Sequence, residues 1–443
     1  MAKLSQWVGG IWLGAAGFTA AAWGQNTLQT LYEAALRHDP QLRSAQHERD
    51  AGLQNKALGR SAVLPQAQYS YNQSDNRADR SIFNSTGQVT TQDQLNYRSL
   101  YSGVSVRQPI YSREAWARYQ QGQLQADYAQ VQFDGRQREV LVRLVEAYCS
   151  LWYAKDQIDL LEVQRQTLAE QLLSVAQQFE KGEASRTDVL EAQSRGDLLQ
   201  ASRIEAEHAL KLAQRTLLAI VGPAQKDLVL QGAKPASFRF SAQALARPLA
   251  QWEAQAKERN ADLRAQQLAV DIAHQEYLKA QSGHLPRADL VASYAKSESE
   301  NVNLVNQSYL TRSVGAQITI PLYAGGATTA GVSQAAASRA RAEAELAHQL
   351  EKTMVELHRH YLAMGQVVSK LQALDKALET ADALVEATRK SVLGGVRTPF
   401  DVLQASQQVA QLKRDRLQAE YTGLISSFRL HWLAGELSLI DLP

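Results

Sequence analysis

One cysteine in 443 residues, Cys149, rules out a disulfide framework within the chain. It follows Tyr148 in a helix-patterned stretch and reads as a buried apolar thiol. Long apolar runs are lacking too: beyond the amino-terminal segment no window reaches the ~20 residues of a spanning helix. A membrane crossing by this chain therefore requires a closed β-barrel, the other structure that satisfies every backbone polar group in lipid. An excess of one charge is also absent. The formal net charge is only +2, so no basic surplus points to nucleic acid. There is no phosphate loop, no zinc-type HExxH and no nucleophile elbow. His358 and His360 are two positions apart on a helix and do not face each other. No catalytic residue, metal site or cofactor is expected, which argues against an enzyme.

Ten prolines are spread unevenly, with none between Pro109 and Pro223 and none between Pro321 and Pro399. Both gaps are rich in Ala, Gln, Leu, Glu, Arg and Lys, which are good helix formers. In the second gap, Leu350, Met354, Leu357, Tyr361, Met364, Val368 and Leu371 step by alternating four and three, the seam of a coiled coil. Asp375 and Asp382 fall where that seam would continue, so a register shift is expected there. Leu141, Leu144, Tyr148 and Leu151 give a looser version in the first gap. Residues 112–181 suffice for one helix about 105 Å long at 1.5 Å per residue. Such a helix must pack along others of similar length, in a bundle or a tube.

The amino terminus has the layout of a secretory signal peptide, expected to cover residues 1–24. Lys3 is the only charge before Glu33, an apolar stretch from Trp7 to Ala22 follows it, and small residues lead to Gly24 and Gln25. A membrane anchor is the alternative, but the stretch is short for one. No cysteine lies near the cleavage point to carry a lipid.

The remainder is written twice. Leu42-Arg43 answers Leu263-Arg264, and Leu64-Pro65 answers Leu285-Pro286, both at an offset of 221. QPIY ending at Tyr111 answers IPLY ending at Tyr323, and GEASRTDVLEA from Gly182 answers GVRTPFDVLQA from Gly395, at offsets of 212 and 213. The first copy, 25–222, is expected to hold a helix, a hairpin at about 64–111, a long helix over 112–181 and a returning helix. The second copy, 251–443, repeats this with a hairpin at about 285–323, a long helix over 326–394, a returning helix and a closing segment. Residues 223–250, with Pro223, Pro235 and Pro248, link the copies.

The hairpin segments alternate with period two, as half-buried strands do. Ala67, Tyr69 and Tyr71 oppose Gln66, Gln68, Ser70 and Asn72; Val314, Ala316, Ile318 and Ile320 oppose Ser313, Gly315, Gln317 and Thr319. Polar loops are expected at 74–97 and 298–308. Tyr69, Tyr71, Tyr101, Tyr294, Tyr309 and Tyr323, at the strand ends, suggest an interfacial aromatic girdle. Soluble hairpins packed on helices are the competing reading. Four strands cannot close a barrel by themselves, since the smallest bacterial ones have about eight. A membrane role therefore requires several chains to share one barrel.

These features together resemble the TolC family of outer-membrane efflux and secretion channels. The residues that carry the likeness are LYEAALRHDPQLRSA near the start, the two LP-initiated hairpins, QPIY and IPLYAGG, FEKGEASRTDVLEAQ and GGVRTPFDVLQAS, and the closing GELSLIDL. The resemblance implies an α+β membrane protein. Its coiled-coil barrel of α-helices would continue into a β-barrel shared by a homotrimer, four strands per chain and twelve in all. It also implies a mixed equatorial region near 223–250 and the carboxyl terminus. Family members pass proteins, toxins or drugs outward with a periplasmic adaptor (membrane fusion) protein and an inner-membrane transporter. Without a lipid-bearing cysteine, the chain looks nearer the type I protein-secretion branch, which implies an ABC-type transporter; multidrug efflux is the alternative. A periplasmic coiled-coil adaptor or scaffold is a further alternative, but would lack duplicated hairpins.

Ser185-Arg-Thr-Asp188 and Thr398-Pro-Phe-Asp401 both have the spacing of helix capping boxes, with Pro399 at the favoured first position. Capping accounts for that spacing unaided. The resemblance implies more: positions matching Asp401 and Gln404 face the pore at a narrow periplasmic end. Gln404 departs from a position that is often acidic, so a trimer would present three carboxylates there rather than six. The position matching Arg397 holds this aperture shut through contacts with those matching Thr187 and Asp188, and Val392 stands where a tyrosine often assists.

Overall fold

The computed structural model describes residues 27–182, 184–231, 239–300 and 307–436. The expected signal segment at 1–24 and all of the closing GELSLIDL beyond Glu436 lie outside them.

Nine helices and four strands are described: α1 Thr27–His38, α2 Pro40–Ser61, β1 Gln66–Phe83, β2 Val89–Tyr111, α3 Arg113–Glu180, α4 Arg186–Val221, α5 Lys226–Gln231, α6 Leu249–Arg259, α7 Ala261–Gln281, β3 Arg287–Ser299, β4 Gln307–Thr319, α8 Ala327–Leu393 and α9 Pro399–Leu433. The described part of 223–250 holds α5 and short 3-10 turns at 223–225 and 242–246. Gly182 and Gly395 adopt φ of 79° and 72° at the turns into the returning helices, a conformation open to glycine at little cost. No described helix is long and apolar enough to cross a membrane.

Two compact units share the chain. The described parts of 1–43, 136–260 and 353–443 form one, and 44–135 with 261–352 form the other. In the first, Trp252, Ala256, Leu357, Met364, Leu430, Leu433 and Ala434 bury a common core, against which Phe240, Leu245 and Tyr361 pack. Fully burying each large apolar side chain contributes about 1.5–3 kcal/mol. The Asn260 amide donates to the Leu433 carbonyl at 2.9 Å, and Arg247 pairs with Glu436 at 2.6 Å while lying over the Trp252 ring. These contacts fix the carboxyl end of α9 against α6. Cys149 is buried in this unit.

The buried stripe on α8 differs from the expected seam. Thr353, Leu357, Met364, Val367, Ala381 and Thr388 are buried, with His360, Leu371, Leu374, Leu378 and Val385 half-buried between them. The steps alternate four and three without interruption from Thr353 to Thr388. No register shift occurs at Asp375 or Asp382, which are exposed. Asp375 flanks the stripe instead and accepts from Arg416 Nε of α9 at 2.7 Å. The expected positions Leu350, Met354, Tyr361 and Val368 are half-buried beside it. Two adjacent rows are thus apolar, and the row the sequence favours is not the more deeply packed one.

In the second unit α2 and α3 approach closely where Gly59 meets Gly122. A Cβ on Gly122 would stand 2.4 Å from the Asn55 carbonyl oxygen, so only glycine permits this spacing. Arg49 lies over the Phe133 ring at 4.4 Å. The four strands form one antiparallel sheet in the order β1-β2-β3-β4. The strands are longer than the alternation suggested. Most of the expected loop at 74–97 is a two-stranded ribbon in which Ser74 pairs with Ser99 and Ile82 with Thr91. Only 84–88 turn, with the Asn84 side chain accepting from Thr86 N and Gln88 N at 3.1 and 2.8 Å. Polar strands of this kind carry no hydrophobic alternation, so periodicity could not reveal them.

Candidate functional site

The register assigns every strand residue to one of two faces, because directly opposed residues share a face. Ala67 pairs with Val106, Val106 with Ala292 and Ala292 with Val314. The next row is Tyr69, Val104, Tyr294 and Arg312. The opposite face carries Gln68, Ser105, Ser293 and Ser313 in one row, with Ser293 Oγ 2.6 Å from Ser313 Oγ. One face is therefore largely apolar across all four strands, interrupted by Gln108 and Arg312 and, further out, by Ser102 and Lys296, and the other is lined mainly by hydroxyls and amides. The apolar face is bare in the single chain: Val314 is 78% exposed and Ile318 69%. Arg107 and Asp289 pair on the polar face near the strand bases.

This register divides the expected tyrosine girdle. Tyr69, Tyr71 and Tyr294 are on the apolar face, whereas Tyr101 and Tyr309 share a row on the polar face through Ser297. Strand-end position alone does not reveal a face; the pairing partners do.

Among the described residues, β1 and β4 each pair on one side only. Both free edges run the full length of their strands, 18 and 13 residues. β1 runs away from the helices and β4 returns towards them, so β4 of one copy can meet β1 of another in antiparallel register.

The second group of candidates lies at the starts of α4 and α9. Ser185 caps α4: its N–H donates to Asp188 Oδ2 at 2.9 Å, and Asp188 N–H donates to Ser185 Oγ at 3.2 Å. Thr187 Oγ1 lies 2.5 Å from Ser185 Oγ. At α9, Thr398 N–H and Oγ1–H donate to Asp401 Oδ2 at 2.9 and 3.0 Å. The backbone N–H bond first, then the hydroxyl and the nearby Arg397 charge, hold the Asp401 carboxyl below the usual aspartate range. Both acids thus serve as caps. Arg397 is exposed and donates to Thr388 Oγ1 at 3.3 Å. The structure of one chain does not bring it to Thr187 or Asp188. Gln404 is exposed one turn along α9 from Asp401.

Sequence reasoning missed the residues that join these helix starts. Arg195 of α4 donates to Gln407 Oε1 at 2.6 Å, stacks over Phe400 at 5.1 Å and pairs with Glu191 at 3.2 Å. Gln171 of α3 donates to Ser406 Oγ at 3.2 Å. Glu191 is the first-copy counterpart of Gln404 at the offset of 213, which marks the one acid of the pair that is retained.

A sheet with one lipid-compatible face, on a chain of very long helices written twice, defines an outer-membrane channel subunit. The chain belongs to the outer membrane efflux protein family, which matches residues 31–223 and 252–436. The two matched segments are the two copies, with the linking segment between them. The alkaline protease secretion protein AprF of Pseudomonas aeruginosa is 35% identical over 93% of this chain and 85% of its own length. The proteases secretion protein PrtF of Dickeya chrysanthemi is 35% identical over 97% and 92%. Among solved structures, the outer membrane protein VceC of Vibrio cholerae superposes with a TM-score of 0.79 at 16% identity, covering 94% and 99% of the two chains. The fold is that of these channels, and the protein is an outer-membrane one.

Proposed function

We propose that three copies of this chain close a twelve-stranded β-barrel in the outer membrane and serve as the exit duct of a type I protein secretion system. The observation that carries this is the four-stranded sheet with a bare apolar face and two unpaired edges. Open edges are untenable in lipid, and an even strand number lets successive copies join antiparallel. From Ile320 to Arg312, whose guanidinium lies 5.4 Å from the Tyr294 ring centroid, the face spans about 27 Å along the strand. At a barrel tilt of ~40° that is about 21 Å of axis, close to the ~25 Å apolar band of outer-membrane barrels. The 35% identity to two protease secretion proteins supports secretion over drug efflux as the transport task. The partners are then a periplasmic adaptor and an inner-membrane transporter of the ABC type.

The periplasmic aperture is formed by Asp401 and Gln404, with Arg397 of one copy latched to Thr187 and Asp188 of the next. One of the five N–H donors of Arg397 is used on Thr388, so the guanidinium retains capacity for a charge-assisted bond to Asp188 across the interface. With Gln404 in place of an acid, cation selectivity at this level is weaker than six carboxylates would give.

The purified mature protein should be a detergent-requiring trimer that conducts ions in planar bilayers. Deleting it should empty the medium of a secreted protease while leaving drug sensitivity unchanged. A water-soluble monomer without conductance refutes the duct, and drug hypersensitivity with normal secretion refutes the transport task.

A further inference from the structure

We propose that Tyr101 and Tyr309 form an aromatic band inside the barrel that contacts an unfolded polypeptide as it leaves, a reading that rests on the shared barrel proposed above. In the four-stranded part of the sheet they are the two aromatic side chains on the polar face, and they lie in one row: Asn72 pairs with Tyr101, Tyr101 with Ser297 and Ser297 with Tyr309. Their surroundings on that face are small. Ser99 and Gly103 flank Tyr101 along β2, Thr311 flanks Tyr309 along β4, and the next row towards the helices is Ser70, Gly103, Ala295 and Thr311. The two rings therefore stand above a floor of small residues, 43% and 58% exposed. Three copies place six such rings around the bore. Because barrel strands tilt by about 40°, residues two strands apart on one row differ in height by about 6 Å, so the rings form a shallow band.

The chemistry of the rest of the wall makes this band the place where cargo is held. Apart from the two tyrosines, the lumen face of the four-stranded part is mostly serine, threonine, glutamine, asparagine, glycine and small aliphatics; its charges, the Arg107–Asp289 pair and Arg287, lie at the strand bases, away from the tyrosine row. Such a wall offers an extended chain few contacts better than water. Tyrosine rings offer flat apolar area with little rotamer entropy to lose, and they accept any sequence.

Part of the Tyr101 role is local. Its hydroxyl lies 3.1 Å from where a Gly103 Cβ would stand, so the ring covers that glycine, a known device for stabilising strands. Tyr309 has no glycine beneath it, and its hydroxyl donates to Gln307 Oε1 at 2.9 Å. Tyr309 therefore separates cargo contact from strand stability.

The test is current blockade in planar bilayers, with reduced, carboxymethylated lysozyme as the unfolded probe. Tyr101→Ala/Tyr309→Ala should shorten the mean blockade by about 2- to 12-fold, the factor equivalent to one lost aromatic contact. Tyr101→Phe/Tyr309→Phe should match the wild type, since the rings and not the hydroxyls make the contact. Should the double alanine variant fail to assemble, Tyr309→Ala carries the same expectation. A conducting wild type whose blockades are unchanged in the alanine variants overturns this proposal alone. A wild type that does not conduct overturns the duct and the band together.

Discussion

Val106 and Ser105 are neighbours in β2 assigned to opposite faces, and arginine at each gives opposite expected outcomes. Val106 lies in the aliphatic row Ala67–Val106–Ala292–Val314, between the row of Tyr69, Val104, Tyr294 and Arg312 and that of Gln108, Leu290 and Ala316. That row lies within the lipid-facing band, one row in from its Arg312 end. An arginine near the bilayer midplane of a barrel costs roughly 2–4 kcal/mol, falling to about 0–1 near the interfaces. A trimer carries the substitution three times, so at an intermediate cost of about 1–2 kcal/mol per copy Val106→Arg costs roughly 3–6 kcal/mol per barrel, enough to lower the inserted fraction strongly. Ser105→Arg places the same side chain in the water-filled bore among Gln68, Ser293 and Ser313. It should assemble normally and alter ion selectivity instead. The assay is the fraction of folded trimer in outer-membrane preparations, resolved by semi-native electrophoresis with and without heating. Equal losses for the two variants, or loss for Ser105→Arg alone, refute the assignment of faces.

Arg397→Ala should enlarge single-channel conductance, and an unchanged value removes Arg397 from the latch. Asp401 has its pKa depressed below 3.8 in the fold, so its capping contribution is complete above that pH and is lost as pH falls through the lower folded value. Conductance of the wild type should therefore change on acidification only below about pH 4, and Asp401→Asn should lack that step; a step at higher pH assigns it to another group. Met364 is fully buried in the core shared by α6, α8 and α9, so Met364→Ala should lower stability to chemical denaturation by about 2–5 kcal/mol. A loss under about 1 kcal/mol would show that the core collapses to fill the space.

Local chemistry was legible in the sequence wherever neighbours in the chain decide the structure. The helix caps at Ser185 and Thr398 were readable because an acid three residues on is all that a capping box needs. The long helices followed from the proline gaps and helix-forming composition. What failed was placement that depends on a partner. Two adjacent rows of α8 are apolar, and partners distant in sequence, α6 through Trp252 and Ala256 and α9 through Leu430, Leu433 and Arg416, select the one that packs deeply. The ribbon at 74–83 and 89–97 has no hydrophobic alternation; cross-strand pairs such as Arg80–Asp93 at 2.5 Å and Ser74–Ser99 at 2.7 Å hold it. Tyr101 and Tyr309 could not be assigned to a face until the register was known. The Arg195–Gln407 contact joins residues 212 apart, and neither residue type at its own position carries a signal.

The duplication shows where the two copies were free to diverge and where they were not. Both copies keep the LP entry to the hairpin, the alternating strands and an acid-capped returning helix, because each of these must satisfy the same backbone geometry twice per chain. The excess length of the first copy lies in the outer ribbon, where β1 and β2 hold 18 and 23 residues against 13 each in β3 and β4. Among the described residues, the outermost contact of the second copy with the ribbon is that of Glu300, whose N–H donates to the Arg98 carbonyl at 2.9 Å. The other divergence is at the helix starts, where Glu191 corresponds to Gln404 and Thr187 to Phe400 at the offset of 213. Phe400 stacks with Arg195, and Arg195 holds Glu191. The first-copy acid at this position is thus paired with an arginine, and the second copy has the neutral Gln404 there. The proposed aperture, with three carboxylates in place of six, is expected to repel an anionic chain less and to grip cations less, in keeping with the proposed task of passing polypeptides of mixed charge.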